Sequence, residues 1–328
     1  MWENQRVLVT GGAGFIGSAL VWELNRRGCE EIVIADYLGT SAKWRNLVPL
    51  RFADYLEADD LFGRLESTAL GRFDTVFHLG ACSATTEQDA AYLIRNNFEF
   101  TKNLATHSLA SGARFVYASS AATYGDGSEG MSDRAGIASL RPLNMYGYSK
   151  HLFDLHAHRR GWEIAGLKYF NVFGPNEDHK EEMRSVVHKS FGQVRDEGVI
   201  RLFKSYRPGY ADGEQKRDFL YVKDAVKMTL AVAENRAANG LFNIGSGGAH
   251  SWNQLAMAVF KALRREPNIE YIEMPEILRE KYQYYTCAEI GKLREAGYTE
   301  AVTPLEEAVR DYVTHYLIPH GRLGEKAV

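Results

Sequence analysis

The fold is decided by Arg6-Val-Leu-Val-Thr10, which runs directly into Gly11-Gly12-Ala13-Gly14-Phe15-Ile16-Gly17. Glycines after a short apolar strand let the backbone turn tightly and approach a pyrophosphate, whose charge is met by the N-terminus of the following helix. A second strand ends at Asp36, about 20 residues after the loop, where a carboxylate can accept hydrogen bonds from an adenosine ribose. This order of strand, loop, helix and acid predicts a dinucleotide-binding site.

Short apolar runs alternate with longer amphipathic stretches through the first half of the chain, as in a parallel sheet with crossover helices. We predict strands at 6–10, 31–36, 50–54, 73–79, 114–118 and 164–169, and helices near 16–27, 58–70, 88–111 and 144–160. Six such units predict an α/β fold with a doubly wound parallel sheet of the Rossmann type.

The rhythm becomes irregular after Phe173-Gly174-Pro175. The second half is predicted to contain a loop at 205–216, strands at 217–222 and 240–244, and helices near 251–265 and 304–317. The chain has 328 residues, and single cores stop growing near about 250–300 residues. We therefore predict an NAD(P)-binding Rossmann domain over 1–172 and a smaller α/β substrate lobe, mainly over 173–328. Whether segments of this lobe return to the large sheet stays open.

The composition excludes several classes of protein. Lys and Arg number 39 against 42 Asp and Glu, a net charge of −3, so a basic nucleic-acid-binding domain is not expected. The sequence shows no apolar stretch of bilayer length. Its three cysteines are scattered and are expected to be small core residues rather than disulfide or metal ligands. These features predict a cytoplasmic protein without a metal, nucleic acid or membrane as partner.

A second motif, Tyr146-Gly-Tyr-Ser-Lys150, lies in a segment predicted to be helical. Residues four apart share one helix face, so the ammonium group can lie near the phenol and lower its pKa toward the working pH. Tyr146 could then accept a hydroxyl proton while hydride leaves for the cofactor, and Ser120 would hydrogen-bond the same substrate oxygen. The same spacing is common on solvated helices, so the upstream glycine loop is what favours a catalytic interpretation.

The form of the cofactor is not decided by these residues. Asp36 favours NAD because it repels a 2′-phosphate, whereas Lys43 could pair with that phosphate if its loop folds back. Both NADP and NAD therefore remain candidates at this point.

The sequence resembles the extended short-chain dehydrogenase/reductase family, to which nucleotide-sugar epimerases and dehydratases belong. The resemblance covers nearly the whole chain. It rests on Gly80-Ala-Cys-Ser-Ala-Thr-Thr-Glu87, Tyr117-Ala-Ser-Ser-Ala-Ala-Thr-Tyr-Gly125, Asn144-Met-Tyr-Gly-Tyr-Ser-Lys150, Tyr169-Phe-Asn-Val-Phe-Gly-Pro175 with His179-Lys180, and Lys216-Arg-Asp-Phe-Leu-Tyr-Val222. Within the family it is most similar to enzymes that epimerise C6 of an ADP-linked heptose for the lipopolysaccharide inner core of Gram-negative bacteria.

The resemblance implies roles for individual residues. Tyr146 and Lys180 would be two acid/base groups, supported by Lys150 and Ser120. The substrate would be contacted by Asn171, Lys180, Arg217 and Tyr282. Tyr146 and Lys150 would also contact the cofactor, whose other neighbours would be Gly11, Gly14, Phe15, Ile16, Gly17, Asp36, Tyr37, Lys43, Ala81, Cys82, Asn96 and Val172.

Family members favour tightly bound NADP, which is recycled in each turnover, and form homo-oligomers. This sequence departs from them at Ala58, where a cofactor-contacting lysine can occur, and at Glu182, where a small polar residue is common.

Three other interpretations remain open. A 4,6-dehydratase usually carries Asp-Glu beside the catalytic serine, but Ala121 and Ala122 follow Ser120 here. A 4-epimerase needs only Ser120, Tyr146 and Lys150, so Lys180 is the distinguishing residue. A non-catalytic dinucleotide-binding regulator could share the fold. Arg217, expected to hold the substrate diphosphate, could instead pair with Asp218 or Glu214.

Overall fold

The computed structural model describes residues 2–279 and 282–325. Their strands are β1 (Val7–Thr10), β2 (Ile32–Asp36), β3 (Asp54–Glu57), β4 (Thr75–His78), β5 (Arg114–Ser120), β6 (Ala165–Tyr169), β7 (Asn171–Phe173), β8 (Ile200–Phe203), β9 (Lys216–Tyr221), β10 (Gly240–Ile244), β11 (Ala249–Ser251) and β12 (Ile269–Ile272). Seven form one parallel sheet in the order β10-β6-β5-β4-β1-β2-β3. The predicted doubly wound parallel sheet is confirmed.

The helices are α1 (Phe15–Arg26), α2 (Leu61–Glu66), α3 (Ala90–Leu93), α4 (Phe100–Ser111), α5 (Met145–Arg160), α6 (Val186–Glu197), α7 (Val222–Glu234), α8 (Trp252–Ala262), α9 (Glu276–Arg279), α10 (Gly291–Glu295) and α11 (Leu305–Tyr312). Tighter 3₁₀ turns cover Ala42–Asn46, Ala58–Asp60, Ala121–Tyr124, Ile137–Ser139 and Asp178–Met183, and π-helical turns cover Ile94–Glu99 and Val313–Leu317.

The central strands form because their residues are apolar and buried on both faces of the sheet. All four residues of β1 and all five of β2 are buried. The strand order reverses beside β1, whose neighbours are β2 and β4, and ligands bind such sheets at the carboxyl ends beside this reversal. The glycine loop follows β1 and therefore lies at that edge.

Two of the predicted elements are wrong in part. The predicted strand at 50–54 is replaced by β3 at Asp54–Glu57, because the Leu50 N–H bonds back to the Leu47 carbonyl in a turn and the chain first meets β2 at the Ala53 N–H, which bonds to the Ile32 carbonyl. The predicted helix at 58–70 ends with α2 at Glu66, and Thr68 has a positive φ of 57° that no α-helix contains.

The chain after residue 172 contributes to both parts of the molecule. β10 pairs with β6 at the edge of the large sheet, and α7 packs against α1. Two small sheets, β11-β9-β7 and β12-β8, lie outside it. The division into domains at residue 172 stays a prediction, whereas the small sheets carry Asn171 and Arg217 toward the candidate site.

Candidate active site

The glycine loop is packed so tightly that side chains would not fit. Gly11 has a φ of +70°, and a Cβ built on it would lie 2.6 Å from the Gly80 Cα. A Cβ on Gly17 would lie 2.0 Å from the Gly11 carbonyl oxygen. No side chain caps the N-terminus of α1 at Gly14, so its first N–H groups are left for an anion. The loop fits a dinucleotide pyrophosphate.

The acid at the end of β2 is held by donors of the protein itself. Asp36 accepts hydrogen bonds from the Ala13 N–H (2.9 Å) and the Tyr37 N–H (2.7 Å), and it pairs with the Lys43 ammonium group at 2.8 Å. The loop that carries Lys43 therefore does fold back, and it neutralises Asp36. The Tyr37 hydroxyl donates to Asp59, and Ala58 is buried beside this acid.

The loop after β4 closes the other side of the cofactor cleft. Gly80, Ala81 and Cys82 follow β4 beside Gly11. Asn97 holds this loop, because its amide accepts from the Cys82 N–H (2.9 Å) and donates to the Cys82 carbonyl (3.0 Å).

The Asn97 amide group also donates to the Ser149 hydroxyl at 3.0 Å. This bond ties the loop to α5 beside Lys150. Asn96 donates to Asn97 at 3.1 Å, and Val172 lies on β7.

Ser120, Tyr146 and Lys150 meet where β5 ends and α5 begins. Asn144 caps α5 by accepting from the Gly147 N–H at 2.8 Å. Lys150 is buried and donates to the Ala118 carbonyl at 2.9 Å. Ser120 accepts from the Ala122 N–H at 3.1 Å and hydrogen-bonds to Tyr146.

The pKa of Tyr146 is raised rather than lowered, which corrects the expectation from its spacing to Lys150. Burial raises it, and the hydrogen bond from Ser120 acts in the opposite direction. Burial also lowers the pKa of Lys150 to about 8, so a smaller fraction of this lysine is protonated near pH 8 than of an ordinary lysine. An oxidised nicotinamide, when bound, would add a positive charge that favours the phenolate form of Tyr146.

A buried polar network lies beneath these three residues. Asp154, one turn after Lys150 on α5, accepts from the Tyr117 hydroxyl (2.8 Å) and the Ser119 hydroxyl (2.7 Å) of β5. It also pairs with Lys168 of β6 at 3.1 Å, and both side chains are 0% exposed. Lys168 donates in turn to Thr123, just beyond Ser120. The network fixes the end of β5 against α5.

Lys180 lies in the 3₁₀ turn Asp178–Met183, with its ammonium nitrogen 5.3 Å from the centre of the Phe15 ring. Phe15 is the first residue of α1, so Lys180 sits over the start of the helix that follows the glycine loop. Burial lowers the pKa of Lys180, which makes its ammonium group easier to deprotonate. The structure thus places a half-buried lysine on another element than α5.

A cavity of about 1020 Å³ is lined by Arg207, Tyr210, Arg279 and Tyr282, among others, and Tyr282 is the one predicted substrate residue in its lining. Arg217 lies behind Tyr282, with its guanidinium carbon 5.0 Å from the centre of that ring. Asn171 pairs in register with Phe219, two residues after Arg217.

Arg217 does not form the alternative ion pairs considered from sequence. Within residues 2–279 and 282–325, neither Asp218 nor Glu214 pairs with it. Asp218 is occupied by the backbone N–H groups of Ser246 and Gly247 and by that of Ala288. A buried cation without a carboxylate partner among these residues is suited to an anionic ligand.

The sequence profile described as the NAD dependent epimerase/dehydratase family matches residues 7–245. The chain belongs to this family. Its cofactor is accordingly a nicotinamide dinucleotide, and the glycine loop and Asp36 stay the predicted place of binding.

Individual relatives and solved structures show which members of the family the chain is similar to. The chain is 54% identical over 314 residues to the ADP-L-glycero-D-manno-heptose-6-epimerase of Nitratidesulfovibrio vulgaris, covering 94% of this chain and 97% of that protein. A Helicobacter pylori crystal structure of the same name is 27% identical with a TM-score of 0.80, covering 96% of each chain. Thermus thermophilus UDP-glucose 4-epimerase in complex with NAD is 26% identical with a TM-score of 0.75, covering 95% of this chain and 99% of that one.

Sequence reasoning missed several residues of this epimerase/dehydratase site. Arg207 and Arg279 line the cavity, but Arg207 lies in an irregular segment, Arg279 ends the four-residue helix α9, and no motif marks either. Asp154 had a usable signal, because it lies four residues after Lys150 on the same helix face. The prediction that all three cysteines are core residues is wrong for two of them. Cys29 is buried, but Cys82 and Cys287 are half-buried.

No helix in the described part of the chain is long and apolar enough to cross a membrane. Over the same residues, no group of three or more His, Cys, Asp or Glu side chains is placed to hold a metal ion. His78 of β4 is a buried histidine whose ring nitrogens bond to the Thr10 and Thr101 hydroxyls at 2.6 and 2.8 Å.

Proposed function

We propose that this protein converts ADP-D-glycero-D-manno-heptose into ADP-L-glycero-D-manno-heptose by inverting C6, as a cytoplasmic step in lipopolysaccharide inner-core biosynthesis. Lys180 carries the proposal, because it is a half-buried lysine on a different element from Tyr146 and Lys150, beside the start of α1. A 4-epimerase needs no such group. The similarity to a heptose epimerase over 94% of the chain supports the same substrate.

The reaction needs two acid/base groups because the two half-reactions occur on opposite faces of C6. In the first half, one group accepts the proton of the C6 hydroxyl while hydride leaves C6, and a ketone forms. In the second half, hydride returns to the other face of C6 and the other group protonates the oxygen. No net redox change results.

Tyr146 and Lys180 are assigned to these two roles. Ser120 accepts a backbone N–H from Ala122, which leaves its own proton to donate to the C6 oxygen or to Tyr146. Lys150 anchors on the Ala118 carbonyl beneath Tyr146. When bound, the oxidised nicotinamide supplies the hydride acceptor and releases the same hydride in the return step.

NADP is the assigned form of the cofactor. Lys43 neutralises Asp36 through the 2.8 Å ion pair, which removes most of the repulsion between this acid and a 2′-phosphate. The same ammonium group can donate to the phosphate, as it has three protons. Ala58 contributes no second cation, so Lys43 carries the preference alone among the residues assigned from the resemblance.

The substrate diphosphate is assigned to Arg217, with Asn171 and Tyr282 beside the sugar nucleotide. Arg217 is 7% exposed, so a charge-assisted hydrogen bond to phosphate is weakly screened by water. A homo-oligomeric state is part of the same proposal and follows from the family resemblance.

The proposal is tested by following C6 of ADP-D-glycero-D-manno-heptose by NMR, with UDP-glucose as the competing substrate. The nucleotide released by denaturing the purified protein is identified by mass spectrometry. We expect inversion of the heptose, no conversion of UDP-glucose, and NADP in the released fraction. Inversion of UDP-glucose at C4 with an unchanged heptose would identify a 4-epimerase instead.

A further inference from the structure

Asn46 joins the cofactor loop to the segment that carries Lys180. It closes the 3₁₀ turn Ala42–Asn46, three residues after Lys43, and is 2% exposed. Its amide group donates to the Ala13 carbonyl of the glycine loop at 3.1 Å and to the Asn176 carbonyl at 3.1 Å. The two amide protons are thereby divided between two separate parts of the site.

A third contact extends this bridge toward Lys180. The Asn46 amide nitrogen lies 3.4 Å from the His179 ring nitrogen Nδ1. Burial and the nearby Lys43 and Lys180 ammonium groups lower the pKa of His179 to about 4, so the ring is neutral at pH 7 and its unprotonated nitrogen can accept a hydrogen bond. His179 thus stands between the cation assigned to the cofactor phosphate and the cation assigned to catalysis.

The segment around Lys180 depends on such external contacts because its own structure is short and irregular. Asn176 has a φ of 78° and Glu181 a φ of 48° with a ψ of −119°. Both lie in the left-handed region, which is costly for residues other than glycine. The neighbouring contacts of the Asn176 amide support the same segment: it donates to the Ser18 hydroxyl at 3.0 Å and accepts from the Leu323 N–H at 3.1 Å.

We propose that Asn46 is a positioning residue that makes the placement of Lys180 depend on the bound dinucleotide. A cofactor that orders the glycine loop and the Lys43 turn also fixes the Ala13 carbonyl and Asn46, and through them Asn176 and His179. The acid/base lysine is thereby held more rigidly in protein that holds its cofactor. This inference rests on the proposed function for the role of Lys180, but its structural part does not.

Hydrogen–deuterium exchange tests the structural part directly. Protein stripped of nucleotide is compared with protein saturated with NADP, or with NAD if a titration shows tighter binding. In the wild type we expect the dinucleotide to slow exchange severalfold both in the glycine loop and in a peptide covering 176–183. In Asn46→Ala the slowing is retained in the glycine loop and lost in 176–183.

Asn25→Ala is the matched control. Asn25 is also a buried asparagine, in the last turn of α1, and its amide donates to the Cys29 and Arg51 carbonyls, both at 2.8 Å. Its loss removes a comparable bridge without touching Asn176 or His179, so dinucleotide protection of 176–183 is expected to persist.

Epimerisation kinetics provide a second measurement. Asn46→Ala is expected to lower kcat about 10- to 100-fold, because a small misplacement of a reacting group is this costly, with KM for the ADP-heptose within threefold. Protection of 176–183 that persists in Asn46→Ala, or is missing in the wild type with bound dinucleotide, would overturn the inference alone. Failure to bind any dinucleotide would overturn the proposed function and the inference with it.

Discussion

The two proposed acid/base groups lie in regions of very different construction. Tyr146 lies on a helix of 16 residues that is fixed to a seven-residue strand by the buried Asp154–Lys168 network. Lys180 lies in a six-residue 3₁₀ turn with a left-handed residue inside it, held by bonds from asparagines to backbone groups. The comparison indicates that one group is preset by the fold while the other is positioned by its neighbours.

Removing either group should have the largest effect. Tyr146→Phe and Lys180→Met are each expected to lower C6 epimerisation about 10²- to 10⁴-fold, the usual contribution of general acid/base catalysis. The rate is measured by NMR on the ADP-heptose, and retention of bound dinucleotide is the control for folding. A variant that epimerises at nearly the wild-type rate would remove its residue from the mechanism.

The buried network distinguishes the two regions by stability. Asp154→Ala leaves Lys168 buried without its carboxylate, and we expect the free energy of unfolding to fall by about 3–5 kcal/mol in urea titrations. Glu182→Ala is the counterpart near Lys180, because it breaks an ion pair with Lys189 in which Glu182 is 97% exposed.

We expect Glu182→Ala to change stability by less than about 1 kcal/mol. An equal loss in both variants would contradict the contrast between the two regions.

Lys43 tests the link to the cofactor. Lys43→Ala removes the cation and exposes the charge of Asp36, so NADP affinity should fall about tenfold or more, or about 1.4 kcal/mol. NAD affinity should stay within threefold, because NAD lacks the 2′-phosphate. Arg45→Ala is the control, since Arg45 is exposed on the same turn. Fluorescence titration of nucleotide-free protein gives both constants, and an equal loss for NADP and NAD would exclude the phosphate role.

The pH dependence of the unfolding free energy should differ between the two regions, because their titrating groups change protonation over different pH ranges. The pKa of Lys150 falls from its ordinary 10.5 to about 8, so the unfolded chain binds more protons between these values. Stability from this residue therefore rises as the pH increases through that window, by at most about 1.4 kcal/mol per pH unit. The difference in unfolding free energy between wild type and Lys150→Met should show this slope.

His179 acts in the acid range. Its pKa falls from its ordinary 6.5 to about 4, so its contribution to stability is lost as the pH decreases from 6.5 to 4. His179→Gln should be less sensitive to acid than the wild type in that window. A pH dependence identical to that of the wild type would show that His179 is not held neutral between the two lysines.

Sequence reasoning identified the region of Tyr146 better than the region of Lys180. The glycine loop, Asp36 and the Tyr146–Lys150 pair follow regular elements, so spacing alone brings them to the carboxyl edge of the sheet. The resemblance was needed for Lys180, because a lysine in a short irregular segment has no periodic signal. Asn46 and Asn176 could not be predicted, since their function depends on contacts between residues 130 positions apart in the chain.

The pKa of Tyr146 was misjudged for a related reason. The spacing to Lys150 predicts only that the two side chains lie on one helix face. The pKa of Tyr146 also depends on its burial and on its hydrogen bond with Ser120, which the spacing does not predict. Elements that are set by local pattern are therefore predictable, whereas the electrostatics of the assembled site are not.

The most direct test of two groups on two faces starts the reaction from each epimer separately. Stopped-flow absorbance near 340 nm follows hydride transfer to the bound cofactor from ADP-D-glycero-D-manno-heptose and from its L-glycero epimer, in Tyr146→Phe and in Lys180→Met. We predict that each variant loses oxidation of one epimer and retains it for the other, with opposite preferences. Loss of the same epimer in both variants would contradict the account.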